Sequence, residues 1–581
     1  MGVAVFVCAG SARAQEAPKT RSAGYSTYER QTLERETRRR SLVIEEAPAG
    51  KIIEGISMAN LEVFEDRDPA PGFLNVFHAT SRPRVVEREL LLHEGDLYEQ
   101  SLLDETARNL RQLLPLSLVL AVPVKGSRPD RVRLLFITKD VWSLRLAWAA
   151  RLGPGGVESL VVAPAETNFG GYHRLVGTRF ELLPKTFAPG VRFLEPWLLG
   201  TRHRLVADAN VIVNRDSGDI EGGSGRFDII KPLFSTRTRW SYGLTSTLDV
   251  QIYRRYVNAA VATYDARATP FDDRVPFLYR FRSLEGSLFA LRSFGWAHKR
   301  DVSVALVART QQISNVAKEG LDPLAVAEFT RRYLPRGEDR VYPYVQARLY
   351  STAFSRIFDA EALGLQEDFR LGYDVQARLY PVLRALGSTR DFVGLYAGGQ
   401  YTVPLGDGFA RAVVESVTER QAERLTDASL SGALRIMSPR TGLGRVVFDV
   451  AGQNRYENYL NRQTLLGGSG RLRGYPSNFL QGKDVLSSNL ELRSRSVSVF
   501  SVQLGGVLFY DIGDAFHGLH SLDPKAAAGI GGRVLFPQFD RVVFRADVGF
   551  PLESRGLAPG VSPYSYYFAF EQAFAVPVAS P

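Results

Sequence analysis

Two glycine-rich segments place a serine where a hydrolase nucleophile could stand. They read Gly222-Gly223-Ser224-Gly225-Arg226 and Gly467-Gly468-Ser469-Gly470-Arg471. A nucleophile elbow needs a second glycine two residues after the serine, in a turn from a strand to a helix. Both segments have arginine there, and no strand-to-helix pattern surrounds either of them. The sequence nominates no catalytic residue, and the chain is predicted not to be an enzyme.

Metal and thiol chemistry are also not expected. His517 and His520, near Asp514 and Asp523, are spaced by three, which aligns ligands only on a helix, and this segment follows a strand pattern. The single cysteine, Cys8, stands near the N-terminus. The sequence therefore predicts neither a metal site nor a cofactor.

Composition excludes several further classes of protein. The chain has 581 residues, of which 23% are charged and 45% are apolar, so it suits neither a disordered chain nor a bundle of membrane helices. It carries a formal charge of +10, but Lys and Arg are scattered, which gives no reason to expect nucleic acid as a partner. No apolar run reaches the roughly 18 residues of a membrane helix, so any membrane crossing must be made by strands.

The N-terminal third divides into three expected parts. Residues 1–14 resemble a signal peptide, with a short apolar core before Ala12-Arg13-Ala14, and residues 15–48 read as a polar linker or a loosely held helix. Residues 49–140 follow a β-α-α-β-β order, with helices predicted over residues 84–92 and 99–113. This order resembles a POTRA (polypeptide-transport-associated) domain.

From residue 141 to residue 576 the hydrophobic pattern has a period of two. In residues 369–379, for example, Phe369, Leu371, Tyr373 and Val375 alternate with polar residues or glycine. Strands of about ten residues with aromatic ends suit a tilted bilayer crossing. The predicted fold is mostly β: a transmembrane antiparallel barrel of about 16 strands, preceded by one small α+β domain.

The sequence resembles the BamA/TamA superfamily of outer-membrane proteins in its C-terminal part. Arg473-Gly474-Tyr475 follows a glycine-rich approach and matches that family's (V/I)RG(F/Y) motif, with Leu472 in the first place. Downstream, residues 488–493 resemble the family's Glu-bearing strand and residues 508–514 its F-x-D-x-G strand. The resemblance implies that the motif tips an extracellular loop that folds back into the barrel lumen.

The last strand is expected over residues 566–574. Its aromatic residues resemble the C-terminal signal of barrel proteins and are Tyr566, Phe568, Phe570 and Phe574.

A charged arginine inside a lumen is costly unless it is paired. We therefore expect Arg473 to pair with Asp511, with Glu491 as a second candidate acceptor and Phe509 packed against the guanidinium. The alternative is a solvated arginine in an external loop.

The resemblance implies a protein of the bacterial outer membrane, with its N-terminal domain in the periplasm, that assists the insertion, assembly or translocation of other proteins. The implied partners are outer-membrane lipid, unfolded or exported protein clients, and periplasmic or lipoprotein partners. Insertion would use a barrel seam between a first strand near residues 142–151 and the last strand. Two alternatives stay open: a dedicated two-partner-type secretion pore, with residues 15–47 as a plug, and a porin-like structural barrel. An outer-membrane phospholipase, which also has an alternating barrel, is a more remote alternative, and the sequence offers no serine–histidine pair for it.

Overall fold

The computed structural model describes residues 20–22, 24–65, 79–153, 155–316, 320–553 and 561–580. The expected signal peptide, residues 1–14, lies outside them. The expected polar linker contains a helix, α1 (Thr27–Arg39), whose first turn is closed by a capping box between Ser26 and Glu29. The helix buries Tyr28 and Leu33 against the next domain, so this part of the segment is packed rather than loose.

The N-terminal domain is a three-stranded sheet with helices on both faces. Its strands are Ile52–Leu61, Leu116–Lys125 and Arg131–Asp140, and the last lies in the middle, parallel to the first and antiparallel to the second. Helices α2 (Pro83–Glu87) and α3 (Gln100–Arg111) cover one face, and α1 covers the other. Helix α2 ends earlier than the sequence pattern predicts.

After this domain the chain forms a closed antiparallel barrel, which in the described residues has 20 strands. In chain order, strands 1–20 are Leu144–Gly153, Gly156–Phe169, Arg174–Leu182, Thr186–Glu195, Arg204–Asn214, Ile220–Lys231, Trp240–Arg254, Leu278–Phe294, His298–Asn315, Arg340–Ser351, Gly372–Val382, Phe392–Leu405, Gly408–Gln421, Arg424–Met437, Gly444–Asn458, Asp484–Ser494, Val502–Phe516, Lys525–Leu535, Phe544–Pro551 and Ser565–Phe570. A short strand, Val497–Val499, continues the pairing of strand 16 with strand 17.

The predicted number of about 16 strands is wrong because that count allowed too many residues for each connection. Several neighbouring strands are joined by only two or three residues, as between Gly153 and Gly156, Leu405 and Gly408, and Gln421 and Arg424. Tight hairpins of this kind leave chain for additional strands.

The wall has an apolar outside and a polar inside. On strand 14, Leu434 and Ile436 are about one-third exposed, whereas Arg435 between them is fully buried in the lumen. Since successive side chains of a strand point to opposite faces, the alternation predicted from the sequence places charge inside the barrel. None of the described helices is long and apolar enough to cross a membrane.

The N-terminal domain joins strand 1 directly, which defines a domain side and a far side of the barrel. The long connection between strands 10 and 11 lies on the domain side and forms the inner hairpin, residues 354–370, with strands Phe354–Ile357 and Glu367–Arg370. Its tip enters the lumen: Arg445 donates to the carbonyl of Phe358 (2.7 Å) and Arg493 to that of Ala360 (2.5 Å). The sequence pattern did not indicate this hairpin: the alternation over residues 369–379 continues across its end, whereas Phe369 belongs to the hairpin and strand 11 begins at Gly372, whose φ is +76°.

Candidate functional site

The connection between strands 15 and 16, on the far side, folds back into the lumen and carries Arg473 at its tip. The Arg473 guanidinium donates to both carboxylate oxygens of Asp511, from Nε at 2.8 Å and from Nη2 at 2.9 Å. Its Nη1 donates to Glu491 at 2.7 Å, and the Arg473 main-chain N–H donates to Asp511 at 3.0 Å. The guanidinium carbon lies 3.6 Å from the centre of the Phe509 ring.

Neighbouring strands position these acceptors. Glu491 lies opposite Phe509 on strands 16 and 17, and Asn489 lies opposite Asp511 in the same register, so all four side chains face inward. Asn489 also donates to Asp511 at 2.8 Å. Arg473, Glu491 and Asp511 are completely buried. A bidentate pair with further hydrogen bonds is the arrangement that offsets the cost of taking such charges out of water.

Gly474 brings the loop tip against the main chain of the wall. Its φ is +113°, and a Cβ atom there would lie 3.1 Å or less from Ala527 and the main chain of Phe550. On the wall side, a Cβ atom at Gly549 would lie 2.6 Å from the Gly474 nitrogen. Neither position has room for a side chain, so the contact is one backbone against another.

The third residue of the motif joins the loop tip to the last strand. Tyr475 is fully buried, and its carbonyl accepts a hydrogen bond from the Tyr567 hydroxyl at 2.9 Å. Ser565, also on strand 20, contributes a longer hydrogen bond to the Gly474 carbonyl, at 3.4 Å. The tip therefore contacts both the paired carboxylates and the inner face of strand 20.

Further arginine–carboxylate pairs surround the site. Asp547 on strand 19 binds Arg533 and Arg545, while Arg493 donates to Glu491 at 2.8 Å. Arg435 and Arg471 share Asp449. Positive and negative groups thus alternate along the inside of strands 14–19.

The aromatic residues near the C-terminus do not lie on one element. Tyr566, Phe568 and Phe570 lie on strand 20 and face outward, but the strand ends at Phe570. The prediction that it reaches residue 574 is wrong, because the chain turns inward. Phe574 is buried in the lumen, its ring centre 4.9 Å from the guanidinium carbon of Arg435 and 5.8 Å from that of Arg473.

Strands 1 and 20 close the barrel through a short seam. Among the residues that the structure describes, four pairs join them, from Tyr566 with Leu152 to Ala569 with Ala149, whereas strands 8 and 9 share sixteen. In the described part of the chain, residues 144–148 of strand 1 pair with strand 2 alone. A cavity of about 380 Å³ lies beside this free edge, lined by Leu144, Trp148, Phe539, Phe544 and Phe570 among others.

A buried serine–histidine contact joins the N-terminal domain to the barrel. Ser81 Oγ lies 2.7 Å from His173 Nε2, and Asn168 donates to the Ala79 carbonyl. Burial lowers the pKa of His173 to about 4. Asp140 accepts from the Ser81 main-chain nitrogen, and both Ser81 and His173 are about 4% exposed. No sequence pattern indicated this contact, which joins the N-terminal domain to the connection between strands 2 and 3.

Comparisons with known proteins give similarity at the level of structure. No family model matches the chain, and no curated protein matches it in sequence. Among solved structures it is similar to BamA from Haemophilus ducreyi lacking POTRA domains 1–3, at 11% identity and a TM-score of 0.34, covering 89% of this chain and 84% of that one.

It is also similar to two CdiB structures, each at 11% identity. For CdiB from Acinetobacter baumannii the TM-score is 0.38, with 90% of this chain and 74% of that one covered. For CdiB from Escherichia coli the TM-score is 0.42, with 98% and 93% covered.

Proposed function

We propose that this chain is an outer-membrane barrel of the BamA/TamA type that assists the insertion, assembly or translocation of proteins. Residues 49–140 are then a single POTRA domain in the periplasm, and the far side of the barrel is extracellular. The observation that carries the proposal is the Arg-Gly-Tyr tip. It is bound to two buried carboxylates through Arg473 and to the last strand through Tyr475.

This arrangement couples the interior of the barrel to its seam. The loop is anchored on strands 16 and 17 by charge-assisted hydrogen bonds, which are the strong ones. Its contact with strand 20 is lighter, one short hydrogen bond and one longer one. Strand 20 can therefore separate from strand 1 at small cost while the loop stays anchored.

The seam suits a client that arrives as an unpaired strand. Residues 144–148 offer main-chain donors and acceptors on one edge, and strand addition to such an edge is a general mode of polypeptide recognition. The apolar cavity beside Trp148 and Phe570 would accept apolar side chains of the same client. Both features favour insertion through the seam.

The second candidate is secretion through the lumen, in the manner of a two-partner transporter. Helix α1 lies at the domain-side mouth, where Glu29 accepts a hydrogen bond at 3.1 Å from the main-chain nitrogen of Gln366 in the inner hairpin. A client passing through the lumen would have to displace this helix and the hairpin, which is the role of a plug. A porin-like role is less well supported, because the same segments obstruct the lumen.

A quantitative proteome of outer membrane and medium after depletion of the protein tests these candidates. Broad loss of barrel proteins is the result expected for an insertion factor, and loss of one or a few exported proteins would favour dedicated secretion. An unchanged proteome would contradict both.

A further inference from the structure

The C-terminal tail, residues 574–580, lies inside the barrel. After strand 20 ends at Phe570, the chain turns inward, and Phe574 packs against Ile357 and Ala360 of the inner hairpin. From there the tail crosses the inner face of the wall from strand 14 to strand 11. It thus follows the inner circumference of the barrel instead of pairing with a neighbouring strand.

In the described part of the chain, five side chains of the wall bind the tail through hydrogen bonds, and we refer to them as the tail-binding strip. They lie on four adjacent strands and are Gln376 on strand 11, Gln400 on strand 12, Arg411 and Glu415 on strand 13, and Arg435 on strand 14.

Three of these side chains donate to tail carbonyls. Arg435 donates to Ala575 at 3.0 Å and, at 3.4 Å, to Phe574. Arg411 donates to Pro577 at 3.4 Å and Gln376 to Ala579 at 3.2 Å.

The other two side chains accept from tail N–H groups. Gln400 accepts from Ala579 at 3.2 Å, and Glu415 accepts from Ser580 at 2.7 Å. Within the described residues, each of these hydrogen bonds ends on the main chain of the tail, and none of them uses a tail side chain. Hydrogen bonds to peptide groups do not depend on which side chains the occupant carries. Val576 of the tail adds an apolar contact with the cluster that contains Phe409 and Met437, which requires an apolar residue at that position but not a particular sequence.

The spacing of the contacts specifies an extended occupant. The carbonyls of residues 575, 577 and 579 all point to the strip, and alternate peptide groups face the same way only in an extended chain. Pro577 is accommodated because the strip uses its carbonyl and asks for no N–H from it.

Arg411 has a particular need for such an occupant. Its hydrogen bonds go to neutral oxygens: Thr402 Oγ1, the Arg370 carbonyl and the Pro577 carbonyl. The residue is about 95% buried. Without the tail, its Nη1 must bind water or the carbonyl of another polypeptide, because an unsatisfied buried donor is costly.

We propose that the tail-binding strip is a sequence-independent binding site for an extended polypeptide, and that the chain's own C-terminal tail occupies it when no client is present. This inference rests on the proposed function, since it assigns to the lumen the place where a client polypeptide would be held. The tail is then a competitor that a client has to displace.

The test uses a chain that ends at Phe574, purified and reconstituted, and three fluorescent heptapeptides. The first has the sequence of residues 575–581. The second has the same composition in scrambled order, with proline kept at the positions of residues 577 and 581 and an apolar residue at that of residue 576. The third is the first with N-methyl groups at the positions of Ala579 and Ser580. The shortened barrel should bind the first two alike and the third at least about tenfold more weakly, because two donors are lost. The full-length chain should bind the first two at least about tenfold more weakly than the shortened barrel, since its tethered tail competes at high effective concentration.

Two variants of the shortened barrel identify the site. Arg411→Leu should abolish peptide binding. Asn210→Ala is the matched control, because Asn210 lies on strand 5 and binds Ser224 rather than the tail, and this variant should bind normally. If the shortened chain fails to fold, the full-length Ala579→Pro/Ser580→Pro variant replaces it. It lacks both tail donors and should bind the first peptide more tightly than the unmodified chain.

No peptide binding by a folded shortened barrel, binding of the native order only, or equal binding by the full-length chain would overturn the proposal. Its failure can be distinguished from failure of the proposed function. Peptide binding together with an unchanged proteome after depletion would support the tail-binding strip as a peptide site and contradict the proposed function. A changed proteome without peptide binding would support the proposed function and contradict the peptide site.

Discussion

The hydroxyl of Tyr567 on the last barrel strand donates a 2.9 Å hydrogen bond to the carbonyl of Tyr475 at the tip of the inward-folded loop. The two residues are 92 positions apart in the chain. Both are buried, so the hydrogen bond is shielded from water. It links the loop that carries Arg473 to the strand that closes the barrel.

Removing this hydroxyl should loosen the seam. Tyr567→Phe keeps the ring and removes one of two donors to the Tyr475 carbonyl, which still accepts from the Gly468 N–H at 3.1 Å. The expected cost is about 0.5–1.5 kcal/mol. Hydrogen exchange of residues 565–570 should become faster in the variant. Tyr566→Phe is the control, because Tyr566 faces outward on the same strand and should leave exchange unchanged. Equal exchange in the two variants would contradict the link.

Loss of the loop arginine should have a larger effect on stability. Arg473→Ala leaves Asp511 and Glu491 buried without their shared partner, and breaking such a pair costs about 3–5 kcal/mol. Arg473→Lys should rescue the loss only in part, since an ammonium cannot make the bidentate contact. The urea midpoint of the barrel in vesicles measures this. The control is Arg274→Ala, which removes an exposed arginine and should leave the urea midpoint unchanged. An unchanged midpoint in Arg473→Ala would contradict the importance of the pairing.

A disulfide across the seam separates the two candidate functions. Ala149 and Ala569 are register partners on strands 1 and 20, so cysteines at both positions, with Cys8→Ser, should lock the seam on oxidation. Insertion through the seam should then stop and recover with reductant, while secretion through the lumen should continue.

A second cysteine pair controls for the disulfide itself. Ala433 and Ala451 are register partners on strands 14 and 15, where the wall is fully paired. Oxidation there should leave both activities intact. An equal effect of the two disulfides would count against a mobile seam.

The inner hairpin should be less firmly docked at alkaline pH. Burial, with Glu361 nearby, raises the pKa of Glu367 to about 8 from its ordinary 4.5. The folded hairpin therefore binds the Glu367 proton more tightly than the unfolded hairpin does. The protonated carboxyl contributes its full stabilisation of the folded hairpin below pH 4.5, and this contribution is lost as the pH rises through about 8. Hydrogen exchange of residues 354–370 should accelerate over this range, and Glu367→Gln should remove the dependence. An unchanged profile in that variant would exclude Glu367 as its source.

The domain joint should respond to pH in the opposite direction. Because burial lowers the pKa of His173 to about 4 from 6.5, the joint holds a neutral imidazole and loses stability as the pH falls from 6.5 to 4. Exchange of residues 79–87 should rise on acidification. His173→Asn removes the titrating group and suits the positive φ of 58° at this position, so its exchange should be insensitive to pH over that interval. A persistent acid response would point to another group.

Period-two alternation, together with the length of the strands and their aromatic ends, predicted a barrel with charge inside, because the two faces of each strand differ in residue type. The number of strands could not be predicted from this pattern, since the pattern does not show how short each connection is. The motif places Arg473, Glu491 and Asp511 together only through resemblance, and their role in function stays a prediction. The inner hairpin, the tail and the Ser81–His173 joint left no periodic signal, because segments that fill a lumen or a joint are shaped by distant partners.

The contact between Gly474 and Gly549 constrains the order in which the barrel can be built. The two backbones touch with no side chain between them, and we therefore expect the loop tip to be seated as strand 19 forms. Strand 20 then covers it through Tyr567. The last five strands and the loop thus form a single assembly unit at the end of the chain. We expect this unit to form as a whole and the seam to close last. The barrel would then close only after the loop tip has reached its position in the lumen.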